Sequence, residues 1–318
     1  MADVRRIFIK LWRSYSIAPV VLLVGIVLSL LTPRFLQVGN LLNVLTNASV
    51  VAIVGLGMTL AIAGGMFDLS VASTAAFAGC IAFNLIPTFG VGVGVLGGLI
   101  VGAIIGELNG LIITELRVPA FIATLGMAGV VKGATLIYTN GRDLYLYGRP
   151  EVKILSAGYM PLMLALGTGL LLALVISHAR FGRRILAVGS NLASARRSGV
   201  RVEQVIWGIF AIVGATAALS GMIISAQVLT ANARLGAGLE LSAISVVVIG
   251  GTALTGGRAS LLGTLLGSLL VAMINNGLNL LNVPIFYQNL TVGVLLLGAL
   301  AIGVERGSNP LMMLRRQV

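Results

Sequence analysis

Charged residues along this chain fall in short clusters, and long apolar runs separate them. A bilayer core takes about 20 apolar residues per helix, so the gaps between charges count the spans. Arg13 to Arg34 encloses 20 uncharged residues, one span. Arg34 to Asp68 encloses 33, one span after the polar stretch around Asn40. Asp68 to Glu107 encloses 38, which Pro87 and Gly90 split into two. Pro119 to about Tyr138 is another, with Lys132 near its far end. Lys153 to Arg180 encloses 26 and Glu203 to Arg234 encloses 30, one span each. Glu240 to Arg258 encloses 17, a short span, and Arg258 to Glu305 encloses 46, split near Pro284. The pattern predicts an all-α integral membrane protein of about ten transmembrane helices.

Two segments echo each other. Asp68-Leu69-Ser70-Val71-Ala72-Ser73 matches Glu240-Leu241-Ser242-Ala243-Ile244-Ser245 at an offset of 172. Gly98 and Gly102 match Gly263 and Gly267 at an offset of 165, as Val118-Pro119-Ala120-Phe121 matches Val283-Pro284-Ile285-Phe286. One deletion of seven residues reconciles the offsets. The copies lie five helices apart, an odd number, so they run in opposite directions through the bilayer. Helices 2–5 and 7–10 then form an inverted internal repeat, the arrangement in which transporters place a pathway at the repeat interface. The alternative is coincidence in a chain written with few letters.

Composition agrees with the membrane reading. Of 318 residues, 58% are hydrophobic and 9% charged, against about 25% charged in soluble domains. The net charge of +12 follows topology rather than nucleic acid. With the N-terminus inside, the inner loops hold 15 of the 21 basic residues and the outer loops six, Arg34, Lys132, Arg142, Arg149, Lys153 and Arg234. An even helix count puts both termini in the cytoplasm. No small-residue cleavage site follows the first apolar run, which ends at Thr32-Pro33-Arg34, so it reads as a retained helix.

Candidate chemistry is sparse. One cysteine, Cys80, and one histidine, His178, argue against a metal cluster or a catalytic triad. None of the three lysines follows a glycine, so a Walker A loop is missing and ATP hydrolysis belongs to another chain. No cofactor is expected. The intramembrane acids are Asp68, Glu107 and Glu240. Asp68 and Glu240 stand at predicted helix starts, each two residues before a serine (Ser70, Ser242), where an acid suits helix capping. Glu107, close to Asn109, suits a polar contact between helices. An ion-coupled carrier would use these acids instead. Gly90, Gly94, Gly98, Gly102, Gly106 and Gly110 recur every four residues, a smooth stripe for close helix packing, and Gly263 and Gly267 repeat the device.

Two loops stand out. The segment from His178 to Glu203 carries Arg180, Arg183, Arg184, Arg196, Arg197 and Arg201, and a helix cap is plausible at Asn191. It reads either as an anchor beside anionic lipid or as a docking helix for a cytoplasmic partner. The outer loop from Thr139 to Gly158 mixes Tyr145 and Tyr147 with Arg142, Asp143 and Arg149, an interfacial belt or a surface for a delivery protein.

Four ordered blocks resemble a known family. Gly64-Gly65-Met66-Phe67-Asp68-Leu69-Ser70-Val71-Ala72-Ser73 resembles the G-G-I-D-L-S-V-G-S segment of permease subunits of ribose-type bacterial sugar ABC importers. Asn109-Gly110-Leu111-Ile112 with Pro119 to Gly126 resembles their N-G-x-x-I…P-x-F-I-x-T-L-G block. Phe181-Gly182-Arg183 through Gly199 resembles F-G-R-x-x-x-A-x-G-x-N-x-x-A-A-x-x-x-G, and Ala243 to Thr264 resembles their glycine-rich G-G-T…G-G block. Met66-Phe67, Ala72, Arg258 and Ala259 depart from the pattern, and the Phe-Asp-Leu-Ser-Val-Ala-Ser form looks more arabinose-type.

The resemblance implies a permease subunit (residues 1–318, one domain) in the bacterial inner membrane, moving a monosaccharide by alternating access. Its implied partners are a second permease copy, identical or a sister, a cytoplasmic ATPase and a periplasmic sugar-binding protein, with membrane lipid around it and no nucleic acid. Residues 179–203 would form the coupling loop, with Leu192, Ala193, Ala195, Arg196, Arg197 and Gly199 meeting the ATPase and passing its movement to the flanking helices six and seven. Related branches carry nucleosides or branched-chain amino acids. Asn47 and Thr59 on helix two, and Asn275, Asn276 and Asn279 on helix nine, are the candidates to line a path for a neutral sugar.

Overall fold

The structure is a computed structural model. It describes residues 17–147 and 149–284, and beyond them 286–288, 290, 291, 293, 294, 297 and 298. The expected basic N-terminal segment and the placement of the two chain ends fall outside these residues. The described chain is helical almost throughout: α1 (Ala18–Leu31), α2 (Val38–Ala63), α3 (Val71–Glu115), α4 (Ala120–Thr139), α5 (Met160–His178), α6 (Arg180–Ser190), α7 (Leu192–Arg197), α8 (Val202–Val228), α9 (Leu239–Ile249) and α10 (Leu261–Leu280). Residues 286–298 are helical where described. Six helices, α2, α3, α4, α5, α8 and α10, are long and apolar enough to cross a bilayer by length and composition.

α2 is the mast of the bundle. From Ala48 to Ala63 nearly every residue is buried, including Ile53, Leu56, Met58 and Leu60. A helix that is apolar all round is a core helix. It packs against α5, α8, α9 and α10.

α3 is a hairpin of two helical arms. Pro87 has no N–H to give the helix ladder, and three residues on Gly90 takes φ +83 and ψ 169, so the chain turns there. The arms lie side by side, because a Cβ on Gly94 would meet Ile86 and the Ala82 carbonyl, and one on Gly98 the Ala78 carbonyl. Gly90 therefore leaves the expected stripe and makes the turn. Gly102, Gly106 and Gly110 stay on it and face α8, against Gly214, Phe210 and Trp207. The Trp207 indole donates to Thr114 Oγ1 (2.7 Å) beside them.

Two segments are shorter than the charge gaps suggest. α9 has 11 residues and α1 14. At 1.5 Å per residue α9 reaches about 16 Å, half a hydrocarbon core of about 30 Å. The stretch read as one span, 240–258, is this half-helix followed by a loop that begins at Gly251 (φ +86). The charge gap could not reveal the break, since the loop residues ahead of Arg258 are uncharged as well.

The bundle has two distinct ends. At one, β1 (Leu144–Tyr145) pairs antiparallel with β2 (Thr230–Ala231), just past α8. We call this the ribbon end. At the other, α6 and α7 meet at an elbow beside the start of α8.

Candidate functional site

At the ribbon end an open cavity of about 420 Å3 is lined by Asn43, Thr46, Asn47, Lys153, Ser156, Ala157, Ala226 and Gln227. Asn43, Thr46 and Asn47 come from the first turns of α2, where positions three and four apart share a face. Lys153 and Ser156 come from the 3₁₀ segment Pro150–Leu155 and the residue capping it, and Gln227 from the last turn of α8. β1 and the 3₁₀ segment belong to the connection between α4 and α5, whose Tyr145 and Tyr147 rings stack at 5.4 Å and stay exposed. The Asp143 carboxylate beside Tyr145 holds its phenol above the usual value.

Of the residues expected to line a path, Asn47 alone faces this cavity. Thr59 is fully buried and shares a hydrogen bond of 2.7 Å with Thr264 of α10. Asn276 exchanges two amide hydrogen bonds with Asn40, of 2.7 and 3.0 Å, clasping α10 to the start of α2. Asn279 is exposed, and the buried carbonyl oxygen of Asn275 has no hydrogen-bond partner among the described residues. The amides and hydroxyls of Asn43, Thr46, Ser156 and Gln227 line the cavity without having been expected there. The spacing Asn40, Asn43, Asn47 marks one polar helix face and was available in the sequence. Ser156 and Gln227 join it only through tertiary structure.

The break between α2 and α3 holds the first echoed motif. Asp68 is buried and its Oδ1 accepts from both the N–H (2.8 Å) and the hydroxyl (2.6 Å) of Ser70, the residue before α3. Asn109 of the second α3 arm donates to Ser70 Oγ (2.8 Å), and Leu69 N–H donates to Thr124 of α4 (3.1 Å). Asp68 thus steers a turn that ties the break to two helices, rather than capping the helix start directly. Glu240 differs: it lies inside the first turn of α9, after Gly238, and its buried Oε2 has no hydrogen-bond partner among the described residues. Ser242 sits within that helix. Glu107, expected in a contact between helices, is exposed, and no hydrogen bond or ion pair to it occurs among the described residues.

At the elbow end the Asn191 side chain accepts from Ser194 N–H (2.9 Å), capping α7. Gly199 at φ +79 closes the turn behind it. Ala195 is buried, whereas Leu192, Ala193, Arg196, Arg197 and Gly199 are exposed. Arg196 pairs with Glu203 at the start of α8, which fixes the short helix against the longer one. The elbow is wedged into the bundle. Gly189 lies where a Cβ would strike the Ala63 carbonyl of α2 and Gly257 N, and those two groups are themselves hydrogen-bonded at 2.8 Å. The expected route into the flanking helices (α5 and α8 here) is therefore joined by a direct contact with the end of α2 and the α9–α10 loop.

The glycines of the second echoed motif pack similarly. Gly263 approaches the Gly250 carbonyl and Gly267 that of Val246, so α9 and α10 form a second close pair.

Known proteins are similar along nearly the whole chain. Residues 40–300 match the family described as "Branched-chain amino acid transport system / permease component". The ribose import permease protein of Escherichia coli (strain K12) is 38% identical over 323 residues, covering 94% of this chain and 96% of that protein. The L-arabinose ABC transporter permease protein of Azospirillum brasilense is 33% identical over 288 residues, covering 89% and 85%. The D-allose transport system permease protein of Escherichia coli (strain K12) is 31% identical over 303 residues, covering 93% of each. No solved structure matches the chain.

Proposed function

Since the chain belongs to the family of branched-chain amino acid transport system permease components, we propose that it is the membrane-spanning subunit of an ATP-driven importer for a monosaccharide. It is a multi-pass protein of the inner membrane. The cavity at the ribbon end carries the reading of the cargo. Amides and hydroxyls from Asn43, Thr46, Asn47, Ser156 and Gln227 surround it, and a neutral sugar is recognised by such donors and acceptors rather than by charge. A zwitterionic amino acid would ask for a cation and an anion. Among the described residues the lining holds Lys153 and no carboxylate, which disfavours that cargo.

In this reading the ribbon end faces the periplasm and a sugar-binding protein. The elbow end faces the cytoplasm and a separate ATPase, within the coupling loop 179–203 of a single domain, 1–318. Leu192, Ala193, Arg196 and Arg197 on exposed faces of α7 meet the ATPase, and the seat of Gly189 against Ala63 passes its movement into α2. A second permease copy completes the pathway. Ten helices arranged as an inverted repeat are the finer proposal. Its support is one of register: Ala78 meets Gly98 in the α3 hairpin, and Gly250 meets Gly263 between α9 and α10. These pairs are related by the same offsets, 172 and 165, that align the echoed sequences.

The test is transport by proteoliposomes holding this chain with the ATPase and binding protein that co-purify with it. ATP-dependent uptake of labelled ribose, arabinose or allose is expected. It should fall when Asn43 and Asn47 are both replaced by leucine. Uptake of leucine alone, or sugar uptake by the purified chain without ATP, would sink the proposal.

A further inference from the structure

The basic loop divides into two helices with different surroundings. α7 projects its arginines beside the capped turn, and one of them is taken by Glu203, the single acid between residues 179 and 203. α6 is another matter. It leaves α5 through the extended residue Ala179 and folds back on it, with Gly182 against Val175 and Ile176. Gly182, Ile185 and Val188 are buried, while Arg180, Arg183, Arg184 and Ala187 are exposed on the opposite face. The three arginines, with Ala187 and Val200, line an open cleft of about 350 Å3. Arg183 donates to the His178 carbonyl at the end of α5 (3.2 Å). Among the described residues no carboxylate pairs with any of the three.

The helix that leads into this cleft shows what lies beside it. α5 exposes Met163, Leu166, Leu170, Leu171 and Leu174. An apolar stripe of that length on a membrane helix faces acyl chains. The cleft opens where the stripe ends, at the depth of lipid phosphates, where basic side chains gather anionic headgroups. Guanidinium groups match phosphate oxygens two by two. We infer that Arg180, Arg183 and Arg184 hold the phosphate headgroup of an anionic phospholipid. The bound lipid pins α6 to the bilayer, so that a push on α7 turns the elbow instead of lifting the whole loop. The inference requires that α5 cross the bilayer; it holds whatever the cargo and whichever leaflet the elbow faces, so a failed sugar assay leaves it standing.

Native mass spectrometry of the full-length chain, stripped of lipid in detergent and then offered phosphatidylglycerol or phosphatidylcholine, tests it. Preferential retention of phosphatidylglycerol is expected, at roughly fivefold per arginine. The triple variant Arg180→Gln, Arg183→Gln, Arg184→Gln should retain the two lipids equally. The corresponding triple lysine variant should keep a weaker preference, from charge without the two-pronged match, and Arg196→Gln with Arg197→Gln should leave it intact. If the triple glutamine variant does not fold, Arg184→Gln alone reads the single-arginine step. A glutamine variant that still selects phosphatidylglycerol overturns the inference. So does an equal loss in the Arg196 and Arg197 variant, which would mean diffuse charge. Displacement of the lipid by inorganic phosphate would assign the cleft to a soluble anion and overturn the lipid as its occupant.

Discussion

Gly102 and Gly214 meet backbone to backbone between α3 and α8, and a Cβ on either one would stand inside 3.0 Å of the other's carbonyl oxygen. Neither neighbour is a side chain that can swing away. Lipid gives helices no hydrophobic push toward each other, so close approach of backbones carries their association.

Gly214→Ala is therefore expected to cost about 2 kcal/mol or more by overpacking. Gly129→Ala in α4 is the control, because a Cβ there meets nothing within 4 Å; it should be neutral, or stabilising by up to about 1 kcal/mol. Thermal unfolding of the purified chain in one detergent measures both. Equal melting temperatures for the two variants would rule out the packing argument.

Arg196→Glu combined with Arg197→Glu should abolish sugar uptake while leaving expression and the melting temperature close to wild type, since both side chains are exposed and surface pairs such as Arg196–Glu203 are worth about 1 kcal/mol or less. ATP hydrolysis by the assembled transporter should no longer respond to the loaded binding protein. Normal uptake by the double variant removes α7 from the coupling path.

Gly189→Ala tests the seat of the elbow. The added methyl group would push on the Ala63 carbonyl and the Gly257 amide and strain the hydrogen bond between them. The expected result is more ATP hydrolysed per sugar carried. An unchanged ratio of hydrolysis to uptake would mean that Ala63 takes no part in coupling.

Asp68→Asn keeps an oxygen to accept from Ser70, so most of the stability should remain. Asp68→Leu leaves the Ser70 N–H and hydroxyl without their acceptor, at a cost of about 1–3 kcal/mol. Denaturation of the two variants side by side separates these cases, and equal loss in both would show that the carboxylate charge matters more than its hydrogen bonds.

What the sequence made legible is what has a period or a sharp boundary. Glycines every four residues announced a packing stripe, and the stripe does face a neighbouring helix from Gly98 to Gly110. Pro87 and Gly90 announced the split of α3. Polar residues that meet across the bundle were not legible. Asn109 lies 39 residues from Ser70, and Asn40 lies 236 from Asn276. Thr59 looked like a path residue because a hydroxyl in an apolar run invites that reading, yet tertiary packing gives it Thr264 as a partner. Glu107 differs for another reason: its nearness to Asn109 suggests a shared contact, yet residues two apart on a helix do not share a face, and Glu107 is exposed where Asn109 is buried.

The bond between Thr59 and Thr264 also sets a timetable for synthesis. The two residues are 205 positions apart, and a ribosome adds about 5–20 residues per second. α2 then waits about 10–40 seconds after its own completion before α10 exists. α8 ends at Val228 and so is missing for most of that interval, α10 for all of it, and until then the Thr59 hydroxyl has only the Gly55 carbonyl of its own helix (2.8 Å) for company. Membrane insertion must shelter α2, or tolerate it bare, until the second half of the chain arrives. Truncation after the first five spans should accordingly leave a chain that inserts but is cleared by quality-control proteases.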